Sequence, residues 1–485
     1  MFHPKVILRI IGLLLQLEAL FLACSLGLSL YLKEEGMLGA YVYSLAALVG
    51  SGLLLTYLGH NKERNISRKD GYIVVTLCWV VFSLFGAMPY YISGYLPSIT
   101  DAFFETMAGF TTTGASVVSN IDELPRSLVF WRIMTQWIGG LGIVFFTVAV
   151  LPIFGLGDLH LFAAETIGIA RAKLHPRISV TARWILTIYV CLTLIEAVCL
   201  KVAGMGYFDA LCHAMSTMST GGISTNSGGI AAFNSPAIEY IIIAFMLMGG
   251  TSFSLLYLAI FKARPGELFR DAEFKSYITF VALFTAIICF GLYITENMSA
   301  EGTVRTALFQ VVSVITTTGF STTDYSQWSP VLWFTLSGAM FVGACSGSTT
   351  GAMKSIRVAI LGRVMNNEFK RIVHPNAIIP VRLGRRIVSE QIQSAVLAFT
   401  VLYVGMVVVG ILINMCFGLN LVDAYGLSLS SVSNVGPGLG NYSSANAMAT
   451  LPDTLKWFYC FQMLVGRLEF FAVLLLFTPV FWKRQ

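Results

Sequence analysis

Residues 101–116 read DAFFETMAGFTTTGAS, and the plan of this segment returns three more times along the chain. A short apolar run comes first, and a turn with a central glycine follows it. An alanine stands about 12 residues before each central glycine, and the residue before that alanine is Asp in three copies and Thr in the third. One structural unit has therefore been used four times. We call the four turns the glycine turns; they are Thr112-Thr113-Gly114, Thr220-Gly221-Gly222, Thr317-Thr318-Gly319 and Asn434-Val435-Gly436.

The composition is that of a membrane protein. Of 485 residues, 56% are hydrophobic and only 12% are charged, whereas about a quarter of the residues in soluble domains are charged. The net charge of +6 comes from basic residues gathered in a few loops. Such clusters favour topology signals over nucleic-acid binding. The chain is therefore predicted to cross a membrane many times, with its first apolar segment retained as a helix.

Long apolar runs mark the predicted spans, since about 20 residues are needed to cross the hydrocarbon core of a bilayer. Glycine and serine interrupt only the run at 330–361. Four shorter runs, at 101–111, 208–218, 304–315 and 422–432, cannot span and are predicted to re-enter the membrane. The predicted spans are 8–31, 37–58, 72–95, 127–154, 184–204, 236–261, 277–295, 330–361, 391–417 and 455–482.

The order of these runs predicts an all-α polytopic fold in which four repeats of helix, pore half-helix and helix surround one pore. Two transmembrane helices, within 1–70, precede the repeats. The predicted boundaries are 71–160 for the first repeat, 161–265 for the second, 266–365 for the third with its interrupted second helix, and 366–485 for the fourth. Basic clusters at 62–69, 171–183, 262–275, 363–386 and 483–484 alternate with the glycine turns. This alternation predicts that both termini are cytoplasmic and that the glycine turns open to the outside.

Four glycine turns at the ends of half-helices indicate a cation pathway. A half-helix that stops in the membrane points its carbonyl end at the bilayer centre, where its dipole favours a cation. Non-helical backbone survives at that depth only where it lines a wet cavity or is buried in protein. A ring of backbone carbonyls can replace the hydration shell of a monovalent cation. The twelve residues of the glycine turns are therefore the predicted selectivity filter, a site for a metal cation.

The same residues carry a family resemblance. The four glycine turns, the segment GACSGSTTG at 343–351 and the closing Gly466-Arg467 resemble the Trk/Ktr/HKT superfamily of potassium transporters. The two leading helices and the chain length are most similar to its bacterial Trk branch. A glycine in all four filter positions goes with K⁺ selectivity in that superfamily. The resemblance therefore implies K⁺ as the transported ion, taken up across the bacterial inner membrane.

The resemblance also implies how the pathway is closed. The segment 343–351 is too rich in glycine and serine for a regular helix in mid-span, and in the superfamily this segment is a gate. Arg467 lies deep in the last span, where a charge needs water or a partner. The superfamily uses this arginine as an electrostatic barrier, although an ion pair with a carboxylate is an alternative. The implied gate residues are Gly343, Gly347, Ser348, Thr349, Thr350, Gly351 and Arg467.

Partners follow from the same resemblance. It implies a homodimer regulated by a cytosolic, TrkA-type nucleotide-binding ring, and this chain has no nucleotide-binding motif of its own. The basic loop from Arg363 to Arg386 is the predicted docking surface, with Arg382, Arg385 and Arg386 as contacts. Buried pairing or interfacial snorkelling is predicted for the charged residues of the spans, among them Glu18, Arg132 and Glu196.

Two other transport functions remain open, while catalysis is not predicted. No phosphate-binding loop, catalytic carboxylate pair or nucleophile triad occurs in a credible context. The chain could be the K⁺-conducting subunit of an ATP-driven pump, a class in the same superfamily. It could also be a proton-coupled cation symporter, although such transporters usually have inverted repeats, and the repeats here share one sense.

Overall fold

The structure is a computed structural model that describes residues 3–60, 67–145, 178–296, 298–377, 379–384, 386–443 and 445–483. In these ranges nearly all regular structure is α-helical, apart from an antiparallel ribbon of β1 (Arg382–Leu383) and β2 (Arg386–Ile387). Six described helices are long and apolar enough to cross a membrane, and two bent helix pairs raise that number to eight. The predicted all-α membrane fold is confirmed.

Two long helices, α1 (Pro4–Leu32) and α2 (Glu35–Leu58), begin the chain and lie against each other. Their backbones approach closely, because a Cβ at Gly12 would lie 2.7 Å from the Gly52 carbonyl oxygen. Small residues at such contacts let helices pack in lipid, where no hydrophobic force drives them together.

The helices that follow differ widely in length. They are α3 (Arg68–Gly86), α4 (Met88–Ser93), α5 (Ile99–Phe110), α6 (Arg126–Phe145), α7 (Ile178–Val202), α8 (Tyr207–Met218), α9 (Pro236–Gly249), α10 (Phe253–Ile260), α11 (Pro265–Arg270), α12 (Ala272–Thr295), α13 (Ala300–Ile315), α14 (Pro330–Val342), α15 (Ser355–Val373), α16 (Glu390–Cys416), α17 (Leu421–Ser433), α18 (Asp453–Arg467), α19 (Phe471–Leu474) and α20 (Pro479–Trp482).

Four of these, α5, α8, α13 and α17, are the short apolar helices predicted from the sequence, and we call them the pore helices. The C-terminal half of each is buried, and at most one residue separates each from its glycine turn. Ser98, Ser299 and Asn420 cap three of them by accepting a hydrogen bond from a backbone N–H of the first turn. Such caps satisfy donors that the helix itself leaves open.

The acidic residue near the start of three pore helices fastens the helix to its surroundings. Asp101 accepts a hydrogen bond from Lys456 Nζ at 2.6 Å, and Asp209 accepts one from the Thr225 hydroxyl at 2.6 Å. Asp423 accepts hydrogen bonds from the Asn441 backbone and side chain. The recurring aspartates therefore fix the pore helices to the segments that follow the glycine turns or to α18.

Two predicted spans besides 330–361 are broken, so the prediction that only 330–361 is interrupted was wrong. The helices α9 and α10 meet at 106°, and α18 meets Phe471–Phe477 at 113°. The first break falls at 250–252, and the second includes Glu469 and Phe470, whose φ angles are 54° and 62°. Taken together, the two helices of each bent pair are apolar enough on average to cross a membrane, which is why the apolar pattern predicted continuous spans.

One further boundary differs from prediction. The second half of the 330–361 span continues as α15 to Val373, so Arg363 lies within a helix and not in a loop. The span predicted at 127–154 corresponds to α6 as far as Phe145. Its remainder lies outside the described residues.

Candidate cation pathway

The glycine turns fold back onto the pore helices in the same way in all four copies. In the first copy, the Thr113 N–H donates to the Ala108 carbonyl oxygen, five residues back, at 2.9 Å. The residues in the same position, Gly221, Thr318 and Val435, make the same contact at 2.9, 2.8 and 3.0 Å. Since these N–H groups are satisfied by the helix, the turn presents carbonyl oxygens away from it.

The first and third residues of each turn have left-handed backbone conformations. The φ angle is 53°, 53°, 54° and 57° at the first position and 78°, 76°, 82° and 97° at the central glycine. Threonine, which is β-branched, is rarely found in this region, so three threonines at the first position indicate a conformation imposed by the surroundings. Left-handed residues at the first and third positions, one on each side of the second, let successive carbonyl groups turn toward one side of the chain.

Each central glycine packs against the next repeat, and the four contacts together close into a ring. At each of them, an added Cβ would collide with a backbone carbonyl oxygen of the next repeat, and the fourth repeat returns to the first. The pairs of glycine and struck carbonyl are Gly114 with Gly221, Gly222 with Thr318, Gly319 with Val435, and Gly436 with Thr113. The four turns therefore surround a common centre, and the close approach leaves room only for glycine.

The ring is only approximately symmetric. The Asn434 amide in the fourth turn donates to the Thr113 hydroxyl of the first turn and to the Met463 carbonyl, both at 2.9 Å. In the second turn, the Gly221 carbonyl accepts a hydrogen bond of 2.6 Å from the Gln136 side chain of α6. Asn434 stands where the other three turns have threonine, a difference visible in the sequence, whereas the sequence gave no signal for Gln136.

A cavity of about 100 Å³ lies beside the ring and is lined by the glycine turns and by the segments that follow them. Three of the four central glycines, Gly114, Gly222 and Gly319, line it together with Pro437. The side that leads away from the pore helices therefore has an open approach to the ring.

On the side of the pore-helix ends, the ring is covered by the break between α14 and α15, which we call the intrahelical loop (residues 343–354). Its backbone polar groups are satisfied by other elements: Cys345 N–H donates to the Gly250 carbonyl at 3.0 Å, and Ala352 N–H donates to the Ser433 carbonyl at 2.9 Å. Ser346 N–H donates to the Glu273 carboxylate at the start of α12. Irregular backbone in a membrane protein requires such partners.

Two residues of the intrahelical loop contact the glycine turns directly. The Gly351 N–H donates to the Thr317 hydroxyl at 2.9 Å. The Thr349 hydroxyl lies 3.3 Å from the Thr220 hydroxyl and 3.2 Å from the Met218 carbonyl oxygen. The other predicted gate residues are in the same loop, where Gly343 and Gly347 have φ angles of 69° and 73°. Ser348 and Thr350 share a hydrogen bond of 2.8 Å.

Arg467, at the end of α18, holds the intrahelical loop. Its Nη1 donates to the Thr349 carbonyl at 2.6 Å, and its Nη2 donates to the Gly139 carbonyl of α6 at 2.8 Å. Its guanidinium carbon also lies 6.0 Å from the centre of the Trp79 ring. The side chain thus joins the loop of the third repeat to the second helix of the first.

Glu469, the carboxylate nearest to Arg467 in the sequence, forms an ion pair with Arg357 of α15. Arg357 also lies over the Phe399 ring at 4.0 Å. Lys354, at the end of the intrahelical loop, is buried and donates to the Thr350 carbonyl. Both basic residues are buried in the structure.

Of the predicted docking arginines, the structure describes Arg382 and the backbone of Arg386, both in the antiparallel ribbon. Arg382 is exposed in β1, and its carbonyl accepts a hydrogen bond from Arg363 of α15. Arg386 contributes its backbone to β2, opposite Leu383. Arg385 lies outside the described residues, as does the side chain of Arg386. The ribbon and the end of α15 are therefore connected, and α15 continues from the intrahelical loop.

Of the charged residues in the spans, Arg132 is paired as predicted, with Glu105. Glu18 differs: it lies beside Trp79 and Phe110 at a small apolar cavity, and it accepts no hydrogen bond from the part of the chain that the structure describes. Glu196 is buried in α7.

Comparison with known proteins gives consistent matches over the whole chain. Residues 41–484 match the family model TrkH, described as a cation transport protein. The chain is 39% identical over 482 residues to the Trk system potassium uptake protein TrkH of Halomonas elongata, covering 99% of each. It is 37% identical over 492 residues to the protein of that name from Escherichia coli K12, covering 99% of this chain and all of the relative.

A solved structure agrees. The crystal structure of the potassium transporter TrkH from Vibrio parahaemolyticus superimposes with a TM-score of 0.89 at 33% identity, with 99% of each chain covered. The fold, the ring of glycine turns and these matches define a multi-pass membrane transport protein, not an enzyme. The chain belongs to the TrkH family of cation transport proteins.

Proposed function

We propose that this protein takes up K⁺ selectively, in the manner of a channel, through one pore lined by the four glycine turns. The observation that carries the proposal is the closed order of the turns, in which each central glycine faces a carbonyl of the next repeat. The relatives named above are potassium uptake proteins, which supports K⁺ as the ion. The repeats extend over 71–160, 161–265, 266–365 and 366–485, behind two leading helices within 1–70.

The chemistry of the ring suits a large monovalent cation. Losing its hydration shell costs such an ion less than it costs a smaller one, and carbonyl oxygens at fixed positions replace the lost water. A side chain at any central glycine would displace a carbonyl of the neighbouring turn. Four glycines therefore favour K⁺ over Na⁺, because they let all four turns contribute backbone oxygens.

The intrahelical loop is the proposed gate, and Arg467 is proposed to hold it in the closed position. The loop lies against the second and third glycine turns, where it obstructs the way out of the ring. Arg467 fastens it through the Thr349 carbonyl and adds a positive charge on the same path. In a low-dielectric constriction, such a charge repels a passing cation strongly.

Regulation is proposed to come from outside the chain. The protein functions as a homodimer in the bacterial inner membrane, with both termini cytoplasmic, and a TrkA-type nucleotide-binding ring docks on Arg382, Arg385 and Arg386. The support is the covalent connection from the intrahelical loop through α15 to the ribbon that carries these arginines. A partner can open the gate only by as much as it binds the open state better than the closed one.

Ion flux into sealed liposomes tests the proposal. Purified protein should carry Rb⁺, a tracer for K⁺, at least about tenfold faster than Na⁺, corresponding to about 1.4 kcal/mol of discrimination. The same flux with and without a pH gradient separates passive conduction from proton symport. Equal Rb⁺ and Na⁺ fluxes would refute the selectivity proposal.

A further inference from the structure

A buried ion pair stands directly behind the first glycine turn. Glu105 of the pore helix α5 and Arg132 of α6 are each about 1% exposed at their side chains, and Arg132 Nη2 lies 2.6 Å from Glu105 Oε1. Arg132 Nε donates to the same carboxylate at 2.8 Å. The ion pair therefore connects α5, which precedes the first glycine turn, with α6, which follows it.

The ion pair holds the residues that continue from Gly114. The Val117 N–H donates to Glu105 Oε2 at 3.0 Å. The Ser116 hydroxyl lies 3.0 Å from Glu105 Oε2 and accepts a hydrogen bond of 2.8 Å from Arg132 Nη2. Charge-assisted hydrogen bonds of this kind are stronger than neutral ones. They fix the backbone two and three residues beyond the central glycine.

The same position differs chemically in the other repeats. Nine residues before Gly222 stands His213, whose Nε2 lies 3.0 Å from the Ser224 hydroxyl. Nine residues before Gly319 stands Gln310, which donates to the Thr323 hydroxyl at 3.4 Å. The fourth repeat has Leu427 in this position. Among the described residues at this position, an ion pair therefore supports only the first turn.

We propose that Glu105 and Arg132 are positioning residues for ion selectivity: their ion pair sets the place of the first glycine turn in the ring. The inference rests on the proposed function and assigns a determinant of that function outside the ring. The first turn contacts both of its neighbours, since Gly114 faces the Gly221 carbonyl and Gly436 faces the Thr113 carbonyl. A displaced first turn thus alters the carbonyl distances on two sides.

The expected consequence is a loss of discrimination. Removing one member leaves a buried charge without its partner, and the surrounding backbone must shift to let water or another group reach it. Selectivity depends on the spacing and field of the carbonyl oxygens. A less constrained turn accommodates Na⁺ better, whereas passage of K⁺ itself does not require the ion pair.

The test compares Glu105→Gln and Arg132→Lys with Glu239→Gln. The control breaks another Glu–Arg pair, Glu239 with Arg305 at 3.3 Å, which contacts none of the glycine turns. Glutamine keeps the size of Glu105, and lysine keeps the charge of Arg132 but cannot form its fork of hydrogen bonds. Two quantities are measured: the ratio of Rb⁺ to Na⁺ flux in liposomes, and the rise in unfolding temperature of detergent-solubilised protein in KCl compared with NaCl.

We expect Glu105→Gln to lower the Rb⁺ to Na⁺ flux ratio about tenfold and to reduce the difference in unfolding temperature between KCl and NaCl. Arg132→Lys should do the same to a smaller extent, and Glu239→Gln should change neither quantity. A lower unfolding temperature in both salts with an unchanged flux ratio would show a purely structural role and overturn the inference. If the unsubstituted protein shows no preference for Rb⁺, the proposed function fails instead. The temperature readout needs only folded protein, and Arg132→Lys is the milder change should Glu105→Gln not fold.

Discussion

The ring of glycine turns and the intrahelical loop beneath it differ in how many repeats contribute to them. All four repeats contribute to the ring, with φ angles that agree within 4° at the first position. The loop comes from the third repeat alone, and it is held by different groups on each side, among them Glu273, Ser433 and Arg467. Repetition suits an ion site that needs similar oxygens all around it, whereas a single loop can be moved without rebuilding that site.

The largest expected effect comes from a side chain inside the ring. Gly319→Ala should abolish Rb⁺ flux, because the new methyl group collides with the Val435 carbonyl and the left-handed backbone adds strain of about 1–3 kcal/mol. Gly418→Ala is the matched control, since Gly418 has a φ of 85° and open space around it. Gly418→Ala should suffer the same backbone strain but retain Rb⁺ flux. Comparable losses in both variants would contradict the requirement for space in the ring.

The second-largest effect should come from releasing the intrahelical loop while the ring keeps its structure. Arg467→Ala removes hydrogen bonds to Thr349 and Gly139, and each charged hydrogen bond contributes about 1.5–3 kcal/mol. Basal Rb⁺ flux should therefore rise at least tenfold, with the Rb⁺ to Na⁺ ratio unchanged.

Arg467→Lys serves as the control for this effect. It keeps the charge but cannot span both carbonyls, so its basal flux should be intermediate. If Arg467→Ala instead lowers flux and the yield of folded protein together, the residue is structural and the comparison of ring and loop fails at this point.

A smaller effect is expected from a polar group added to one turn. Gly114→Ser must displace the Gly221 carbonyl, which the Gln136 side chain also holds. Unlike the methyl group of Gly319→Ala, the serine side chain offers an oxygen in place of the displaced carbonyl, so some flux should remain. We expect the Rb⁺ to Na⁺ flux ratio to fall several-fold, because one of four turns loses its spacing. Flux assays in liposomes measure it, and an unchanged ratio would mean that this glycine does not contribute to selectivity.

The smallest effect on basal transport should come from the ribbon. Reversing Arg382 to Glu changes an exposed side chain and should leave flux and selectivity within about twofold of the unsubstituted protein. It should weaken binding of a TrkA-type ring and reduce the response to nucleotide in a reconstituted complex. Full nucleotide control in the variant would exclude Arg382 from the docking surface.

The sequence predicted the ring better than its surroundings for a physical reason. The glycine turns recur at fixed distances from apolar runs, so their number and place follow from spacing alone. Contacts between distant segments carry no such periodicity: Arg357 meets Glu469 across 112 residues, and Gln136 meets Gly221 across 85. The breaks at 250–252 and 468–470 were missed because each lies within a stretch whose average hydropathy is still that of a membrane span.

The most direct test of the central account is the position of bound ions. Crystals grown in RbCl should show an anomalous peak at the centre of the four glycine turns, surrounded by the carbonyls of the first and second turn positions, and the peak should persist when NaCl is added in excess. A peak displaced from this centre, or one that Na⁺ removes at equal concentration, would contradict the claim that the glycine turns form a K⁺-selective ring.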